Sequence, residues 1–336
     1  MRRIGNLYEK VCSIENLILA DEKARKRKKL TYGVRVFDRS RIENLQKLHD
    51  DLMNGTFKTS PYSIFTIYEP KEREIYRLPY YPDRIVHHAV LNILEPIWVS
   101  VFTADTFSCI KKRGINSAAG RLKRALKEDP EGTTYCLKLD IRKFYPSIDH
   151  DVLKAIIRRK LKDARLLSLL DEIIDSADGV PIGNYLSQFF ANLYLAYFDH
   201  WIKEEKGVKY YYRYADDIVI LHSSKEFLHG LFKELSSYLA DNLKLEVKGN
   251  WQIFPVAARG IDFVGYVFFH THTRMRKGIK KRFCWRVAKL NKRDNLTEDG
   301  FKRSICPWWG WAKHCNSRNL INSLSKNSKY EIKFTR

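Results

Sequence analysis

Residues 210–221 read YYYRYADDIVIL, and this stretch decides the fold. Tyrosines and β-branched residues flank Ala-Asp-Asp and favour β structure, and the acidic pair stands where a tight turn fits. The pattern therefore predicts a β-hairpin from Lys209 to His222 with Asp216 and Asp217 in its turn. An Asp-Asp pair by itself is also typical of an ordinary polar turn, so a functional role for the pair needs support from elsewhere in the chain.

A third aspartate ends another strand pattern. Residues 135–139 read YCLKL, and Asp140 follows them. A carboxylate beside apolar strands is costly to bury, so such an acid is paired, turned to solvent or bound to a metal. Two divalent ions about 3.5–4 Å apart on such carboxylates can serve phosphoryl transfer to the end of a nucleic acid, and Mg²⁺ suits this role. We therefore expect Asp140, Asp216 and Asp217 to be catalytic and to hold two Mg²⁺ ions.

The charge of the chain indicates a polyanionic partner. Lys and Arg number 61 against 39 Asp and Glu, which leaves a net charge of +22 on 336 residues. A field of that sign attracts nucleic acid, the commonest polyanion, and disfavours an ordinary metabolic enzyme. A hydrophobic fraction of 44% with 13% aromatics excludes a disordered protein. Six scattered cysteines and the lack of an apolar leader predict a cytoplasmic protein without a membrane partner.

The rest of the chain mixes helical and strand patterns. Apolar spacing predicts helices near the N-terminus, and alternation predicts strands within 64–68 and 75–78. We also expect a long helix from about Tyr185 to Glu205, short strands around 243–247 and 263–269, and a basic helical tail. Helices interleaved with antiparallel strand pairs predict an α+β architecture.

Four motifs together resemble those of reverse transcriptases. The YADD of residues 214–217 is similar to the signature hairpin of that family, and LDIRKFY at 139–145 to its first catalytic strand and following aromatic. GNYLS at 183–187 resembles the opening of the helix that supports the template–primer, and FVGY at 263–266 resembles the primer-grip hairpin. Their order and spacing agree with a polymerase palm, and the resemblance extends from about Tyr62 to the end of the chain.

The resemblance implies an α+β right-hand polymerase fold with fingers, a palm containing an antiparallel sheet, and a helical thumb. On this basis an N-terminal helical extension covers residues 1–58 and the fingers cover 59–134. The palm covers 135–272, with a finger-type helical insert at about 151–178, and the thumb covers 273–336.

The resemblance also implies roles for individual residues. Those implied to bind the nucleotide are Lys71, Arg73, Arg84, Ile141, Tyr145, Ile182, Gly183 and Gln188. Those implied to contact template or primer are Arg113, Ser187, Tyr214, Phe263, Gly265 and Tyr266. The implied metal ligands are Asp140, Asp216, Asp217 and the backbone carbonyl of Ile141, around two Mg²⁺ ions that Mn²⁺ can replace.

Some of these residues also have simpler interpretations. The aromatic at position 145 stacks beneath the nucleotide sugar in the family and excludes a 2′-hydroxyl, although Tyr145 could equally be a core aromatic. Lys71 and Arg73 are suited to clamp a triphosphate, and a solvated hairpin tip is the alternative. Both alternatives stay open at the level of sequence.

Two substitutions favour one subgroup. Most members read Gln-Gly-x-x-x-Ser-Pro at the helix opening, whereas this chain has Ile182 in place of Gln and Gln188 in place of Pro. This pattern, with PWWGWAKH at 307–314, resembles the reverse transcriptases of diversity-generating retroelements. Those enzymes copy a template-repeat RNA into cDNA with errors at adenines and work with a pentameric accessory variability protein. Because Ile182 cannot hydrogen-bond, a misaligned base pair loses less there, unless the side chain merely packs.

The expected partners are therefore template RNA, the cDNA or primer strand, and deoxynucleoside triphosphates. Another bacterial reverse transcriptase, of the retron or defence type, is the nearest alternative. An RNA-binding scaffold without catalysis is the second alternative. The three aspartates argue against the scaffold, because binding RNA requires cations rather than clustered acids.

Overall fold

The computed structural model describes residues 3–68 and 72–332. The chain divides into two compact units, each built from three segments. The first unit consists of Met1–Cys109, Ile141–Gly207 and Glu234–Lys248. The second unit consists of Ile110–Asp140, Val208–Lys233 and Gly249–Arg336.

The first unit opens with four helices. They are α1 (Tyr8–Cys12), α2 (Ile14–Ala24), α3 (Tyr32–Asp38) and α4 (Arg41–Met53). The apolar spacing from Leu7 to Leu17 fits one continuous helix, but the chain breaks at Ser13. Ser13 is extended, with φ −57° and ψ 143°, and its side chain accepts a hydrogen bond from the backbone N–H of Asn16. It therefore caps the start of α2, as serine commonly does.

The buried carboxylate of Asp21 ties these helices to the segment that follows them. It accepts from Arg25 Nη2 at 2.8 Å, from Arg41 Nε at 2.7 Å and from the Tyr80 hydroxyl. Asp21 itself is 0% exposed. A buried carboxylate is tolerated because several donors surround it. Asp21 thus anchors α2, α4 and the turn that carries Tyr80.

The remainder of the first unit packs around an apolar helix. A two-stranded antiparallel hairpin precedes it, formed by β1 (Ser63–Ile67) and β2 (Arg73–Arg77). An irregular turn over Tyr80–Arg84, in which Tyr81 is extended with φ −119° and ψ 134°, leads into α5 (Ile85–Val99), whose buried residues include Leu94 and Trp98. The other elements are β3 (Thr106–Phe107), α7 (His150–Arg158), α8 (Ala164–Ile174), α9 (Tyr185–Tyr194) and α10 (Ala196–His200). The helix expected over 185–205 is therefore present as α9, α10 and a π-helical turn over Trp201–Glu205, with an interruption at Leu195.

The second unit contains an antiparallel sheet and a helical end. Pairings give the strand order β5-β6-β4-β7, for β4 (Tyr135–Asp140), β5 (Tyr210–Tyr214), β6 (Asp217–His222) and β7 (Gln252–Pro255). Beside it lie α6 (Ile115–Glu128) and α12 (Val256–Arg259). A second sheet has the order β10-β9-β8, for β8 (Ile261–Phe263), β9 (Tyr266–Phe268) and β10 (Thr273–Met275). The strand expected around 263–269 is thus present as a hairpin.

Three helices follow the second sheet, and the first and third of them are basic. They are α13 (Lys277–Asn291), α14 (Glu298–Ala312) and α15 (Arg318–Lys326), and they enclose a core that includes Phe283, Leu290 and Phe301.

The prediction of a strand around 243–247 is wrong in part. Helix α11 (Lys225–Leu243) continues to the start of that range, and Val247 forms only an isolated bridge with Ile141. Across the described ranges every helix is too short or too polar to cross a lipid bilayer.

We expect Asp21→Asn to lower the free energy of unfolding by about 3 kcal/mol, because it removes the charge that several buried donors surround. Urea and thermal unfolding, followed by circular dichroism, measure this. Asp50→Asn, at an exposed position of α4, is the control and should change stability by about 0.5 kcal/mol or less. Equal effects of the two substitutions would contradict the anchoring role of Asp21.

Candidate active site

The β5–β6 hairpin carries the two adjacent aspartates. Tyr214 pairs with Asp217 in the ladder, so Ala215 and Asp216 form a two-residue turn. Ala215 has a φ of 55°, and tight hairpin turns place a positive φ at this first position. The buried guanidinium of Arg213 donates to the carbonyl oxygen of Ala215 at 3.0 Å. The hairpin predicted from the sequence is present, and Arg213 holds its turn.

Strand β4 brings Asp140 to this turn. In the β4–β6 ladder Asp140 lies opposite Asp217, and its carboxyl shares a hydrogen bond with that of Asp216. Burial and the facing carboxyl of Asp140 raise the pKa of Asp216 to about 6. Such a rise is expected where two acids share one site, because both cannot ionise without repulsion. The structure therefore brings together the three aspartates that the sequence singled out.

Lys138 belongs to the same site, and the sequence analysis missed it. Its Nζ donates to Oδ1 of Asp217 at 2.6 Å and lies 5.5 Å from the centroid of the Phe263 ring. Burial raises the pKa of Asp217, and the Lys138 ammonium opposes that rise. Lys138 and Asp140 are two residues apart on β4, and alternate residues of a strand share a face. That spacing is the signal in the sequence that could have identified Lys138.

The chemistry of this cluster fits divalent cations. Carboxylate oxygens are the ligands that hard dications prefer, and a dication relieves the repulsion between Asp140 and Asp216. In residues 3–68 and 72–332, however, no three His, Cys, Asp or Glu side chains are already grouped as a metal site. Lys138 donates to one carboxylate oxygen of Asp217. The cluster is thus a set of acids suited to cations, with one acid held by a lysine.

The predicted primer-side residues form the β8–β9 hairpin of the second unit. The side chains of Phe263 and Tyr266 are buried. Gly265 has a φ of 90°, and a Cβ at this position would collide with the indole of Trp311. The Tyr266 hydroxyl donates to the carbonyl oxygen of Trp311 at 3.2 Å. The two aromatic side chains therefore pack in the core and join the hairpin to α14, rather than extending into solvent.

A cavity of about 580 Å³ lies beside this hairpin. Its lining includes Lys112, Asn116, Tyr214, Tyr266, Trp311 and His314. The first turn of α6 contributes to the lining, and the start of a helix carries partial positive charge that favours anions. Arg113 lies in the turn that leads into α6. The predicted Tyr214 and Tyr266 thus border one cavity, whose other residues are cationic, polar or aromatic.

The predicted nucleotide-binding residues lie in the first unit. Lys71 falls outside the described residues. Arg73 is exposed on β2, and Arg84 is half-buried at the end of the irregular turn that precedes α5. Burial lowers the pKa of Arg84, and burial together with the Arg84 and Arg77 guanidinium groups lowers the pKa of Lys28. Arg77 was missed, although it shares a strand face with Arg73 by its even spacing on β2.

The remaining predicted residues of this unit surround the start of α9. Tyr145 is half-buried in a short 3₁₀ turn, and its carbonyl oxygen accepts from the Val180 N–H at 2.9 Å. Ile182 is half-buried, and Gly183 and Gln188 are exposed. Two other predicted side chains are buried, namely those of Ile141 and Ser187. Burial of Ser187 means that its hydroxyl faces the protein interior.

The sequence matches a family model described as "Reverse transcriptase (RNA-dependent DNA polymerase)" over residues 69–268. Protein YkfC of Escherichia coli is 25% identical over 277 residues, which cover 68% of this chain and 72% of YkfC. The group II intron-encoded protein LtrA of Lactococcus lactis is 22% identical over 299 residues, covering 67% of this chain and 49% of LtrA. The chain thus spans about half the length of LtrA.

A solved structure shows the same fold. Apo telomerase from Candida tropicalis superposes with a TM-score of 0.51 at 12% sequence identity, covering 81% of this chain and 59% of that chain. At this level of identity the similarity concerns the fold alone. The α+β right-hand polymerase fold expected from the motifs is confirmed.

We expect Gly265→Ala to destabilise the protein by about 3 kcal/mol, since the new Cβ meets the Trp311 indole and the backbone is strained at positive φ. Thermal unfolding measures the loss. Gly207→Ala is the matched control, because Gly207 has a φ of 64° with open space around it. It should cost about 1 kcal/mol from backbone strain alone. A Gly265→Ala protein no less stable than this control would show that Trp311 does not pack as described.

Proposed function

The chain belongs to the reverse transcriptase family of RNA-dependent DNA polymerases, and from that premise we propose that it copies a template-repeat RNA into cDNA for a diversity-generating retroelement. The observation that carries the polymerase assignment is the contact between the carboxyls of Asp140 and Asp216 at a hairpin turn. Acids held together in this way favour cation-assisted phosphoryl transfer over RNA binding alone, because a polyanion is repelled by bare carboxylates.

In this proposal each residue of the catalytic cluster has a separate role. Asp140, Asp216, Asp217 and the backbone carbonyl of Ile141 hold the divalent ions in this proposal, with Mg²⁺ as the natural ion and Mn²⁺ as a substitute. When bound, such ions promote ionisation of the primer 3′-hydroxyl and stabilise the leaving pyrophosphate. Lys138 holds the carboxylate of Asp217 and balances part of the negative charge of the cluster. Arg213 keeps the turn that carries Asp216 in place.

The same proposal assigns different residues to the triphosphate, to the sugar of the nucleotide and to the primer strand. Arg73 and Arg84, with Lys71, contact the triphosphate, since guanidinium groups bind phosphate oxygens in pairs. Tyr145 lies beneath the sugar of the incoming nucleotide and favours deoxyribonucleotides. The cavity between Tyr214, Tyr266 and α14 accepts the primer strand, because it combines aromatic surface with the cationic Lys112.

The subtype rests on the start of helix α9. Ile182 offers no hydrogen-bonding group, and its half-buried side chain leaves part of its surface to a ligand. A base pair that is shifted at this position therefore forfeits no hydrogen bond to the protein. From the same resemblance we infer that the enzyme makes errors at template adenines and that its partner is a pentameric accessory variability protein.

All six cysteines are free thiols, which supports a reducing, cytoplasmic location.

We expect Asp216→Asn to reduce incorporation of deoxynucleotides on a primed RNA by at least about 10³-fold, because it removes one acid of the pair that holds the cations. Labelled-nucleotide incorporation with Mg²⁺ measures the loss. Asp294→Asn is the control, since its side chain is 96% exposed, and it should retain full activity. An active Asp216→Asn protein would contradict the proposed chemistry.

We expect Ile182→Gln to lower misincorporation opposite template adenine by about tenfold relative to the other bases, because the amide can hydrogen-bond with a correctly aligned pair. Sequencing of cDNA made from a defined RNA gives the error rate at each base. Ile42→Gln, on the exposed face of α4 where Ile42 is 80% exposed, should leave the spectrum unchanged. Uniformly low errors in the unmodified protein would instead favour a faithful copying enzyme.

A further inference from the structure

The β1–β2 hairpin is bonded directly to the segment that opens helix α9. The backbone N–H of Tyr76 on β2 donates to the carbonyl oxygen of Ile182 at 2.8 Å. On its other side β2 pairs with β1, where Tyr76 lies opposite Ile64. Strand β2 therefore has a backbone partner on both edges, and one of these partners is the residue that sets the proposed subtype.

Gly183 allows this approach. Its φ is 129°, and a Cβ built on it would lie 2.6 Å from the carbonyl oxygen of Tyr76 and 3.2 Å from Cγ2 of Ile75. No side chain can take that position without moving the backbone of β2, because the nearest atom belongs to the main chain rather than to a flexible side chain. The contact is thus backbone against backbone, and it specifies glycine.

Side chains reinforce the same junction. The hydroxyl of Tyr62 shares a hydrogen bond of 2.8 Å with Oγ of Ser176, and Nδ2 of Asn184 donates to that hydroxyl at 3.4 Å. The rings of Tyr62 and Tyr76 meet edge to face with centroids 5.6 Å apart. The base of the hairpin is therefore held to both ends of the segment 176–184.

The other end of this segment reaches Tyr145. The Val180 N–H donates to the carbonyl oxygen of Tyr145 at 2.9 Å. Residues 180–183 consequently run from the backbone of Tyr145 to the backbone of Tyr76. Strand β2, which also carries Arg73, is therefore connected to Ile182 and Tyr145 by main-chain hydrogen bonds.

We propose that the Tyr76–Ile182 hydrogen bond and Gly183 form a positioning junction, through which the hairpin bearing Arg73 sets the placement of Ile182 and Tyr145 and so determines nucleotide selection. This inference rests on the proposed polymerase function and extends it, because it assigns selection to a backbone contact. Gly183 acts here as a positioning residue. The junction thus connects Arg73, which contacts the triphosphate in the proposed function, with Ile182 at the base and Tyr145 at the sugar.

The test is Gly183→Ala assayed with single nucleotides on a primed RNA. Discrimination of deoxyribonucleotides over ribonucleotides, and of correct over incorrect bases, should each fall by about tenfold, because displacements of about 1 Å in substrate-positioning groups have effects of this size or larger. The KM for the correct nucleotide should rise more than kcat falls. The Kd of the primed RNA should not change, since the junction contacts the hairpin and not the duplex.

Two controls separate the junction from a general loss of stability. Gly55→Ala imposes a side chain at a φ of 69° with nothing within 4 Å, and Gly230→Ala adds a methyl group in open space. Both should retain the selectivity of the unmodified protein. Equal selectivity in Gly183→Ala and Gly55→Ala, or a fall in kcat with selectivity intact, would overturn the proposal.

A second variant removes only the hydrogen bond. Replacing Tyr76 by its α-hydroxy acid analogue converts the amide to an ester and deletes the N–H while it keeps the side chain. Selectivity should fall as in Gly183→Ala, and unchanged selectivity would overturn the role of the bond.

Hydrogen exchange tests the junction without catalysis. In the unmodified protein the Tyr76 amide should be protected, and in Gly183→Ala it should exchange at least about tenfold faster. Rapid exchange of this amide in the unmodified protein would overturn the junction itself. Protection of the amide in a protein that incorporates no nucleotide would contradict the polymerase proposal and, with it, the role in selection, while leaving the contact established.

Discussion

Antiparallel pairing of β4 with β6 is the constraint on which the catalytic cluster depends. The four residues Ile218 to Leu221 on β6 are 0–1% exposed, and burying each such side chain contributes about 1.5–3 kcal/mol. Because consecutive residues are buried, both faces of β6 are packed, and a shift of one residue in the ladder would move every side chain out of its present packing and would also separate Asp140 from Asp217. The fit of the side chains on both faces thus favours this register, and the register places the acids together.

That placement has an electrostatic cost, which the surrounding residues reduce. The raised pKa of Asp216 reflects burial and the facing Asp140. Lys138, two residues from Asp140 on the same face of β4, pairs with Asp217 at 2.6 Å, and Arg276 adds a favourable positive charge. The protein therefore keeps a concentrated negative site inside a chain of net charge +22. This contrast agrees with the proposed binding of cations at the acidic cluster and of nucleic acid by the basic chain.

The local sequence pattern predicted some structural features and did not predict others. Tyrosines and β-branched residues on either side of the acidic pair predicted the hairpin, and the motif order predicted the right-hand fold. Lys138 and Arg213 were missed because their partners are fixed by strand register and by a turn carbonyl, neither of which a one-dimensional pattern displays. The break at Ser13 was missed because apolar spacing continues across it, and helix α11 persists to Leu243 where strand-like residues begin. The roles of the nucleotide-binding residues stay predictions.

The junction at Gly183 bears on why a polymerase of this kind can tolerate an apolar residue at position 182. A hydrogen-bonding side chain there would sense the geometry of the base pair directly, whereas Ile182 can respond only by van der Waals contact. Control over its position then falls to the backbone, which Tyr76 fixes at one end and Tyr145 contacts at the other. In the proposed function the backbone contacts keep the sugar and triphosphate in place, and Ile182 gives a weaker check on the base pair than a hydrogen-bonding side chain would. The position of the backbone and the chemistry of the side chain at residue 182 then both contribute to nucleotide selection, the first through Tyr76 and Tyr145 and the second through contact with the base pair.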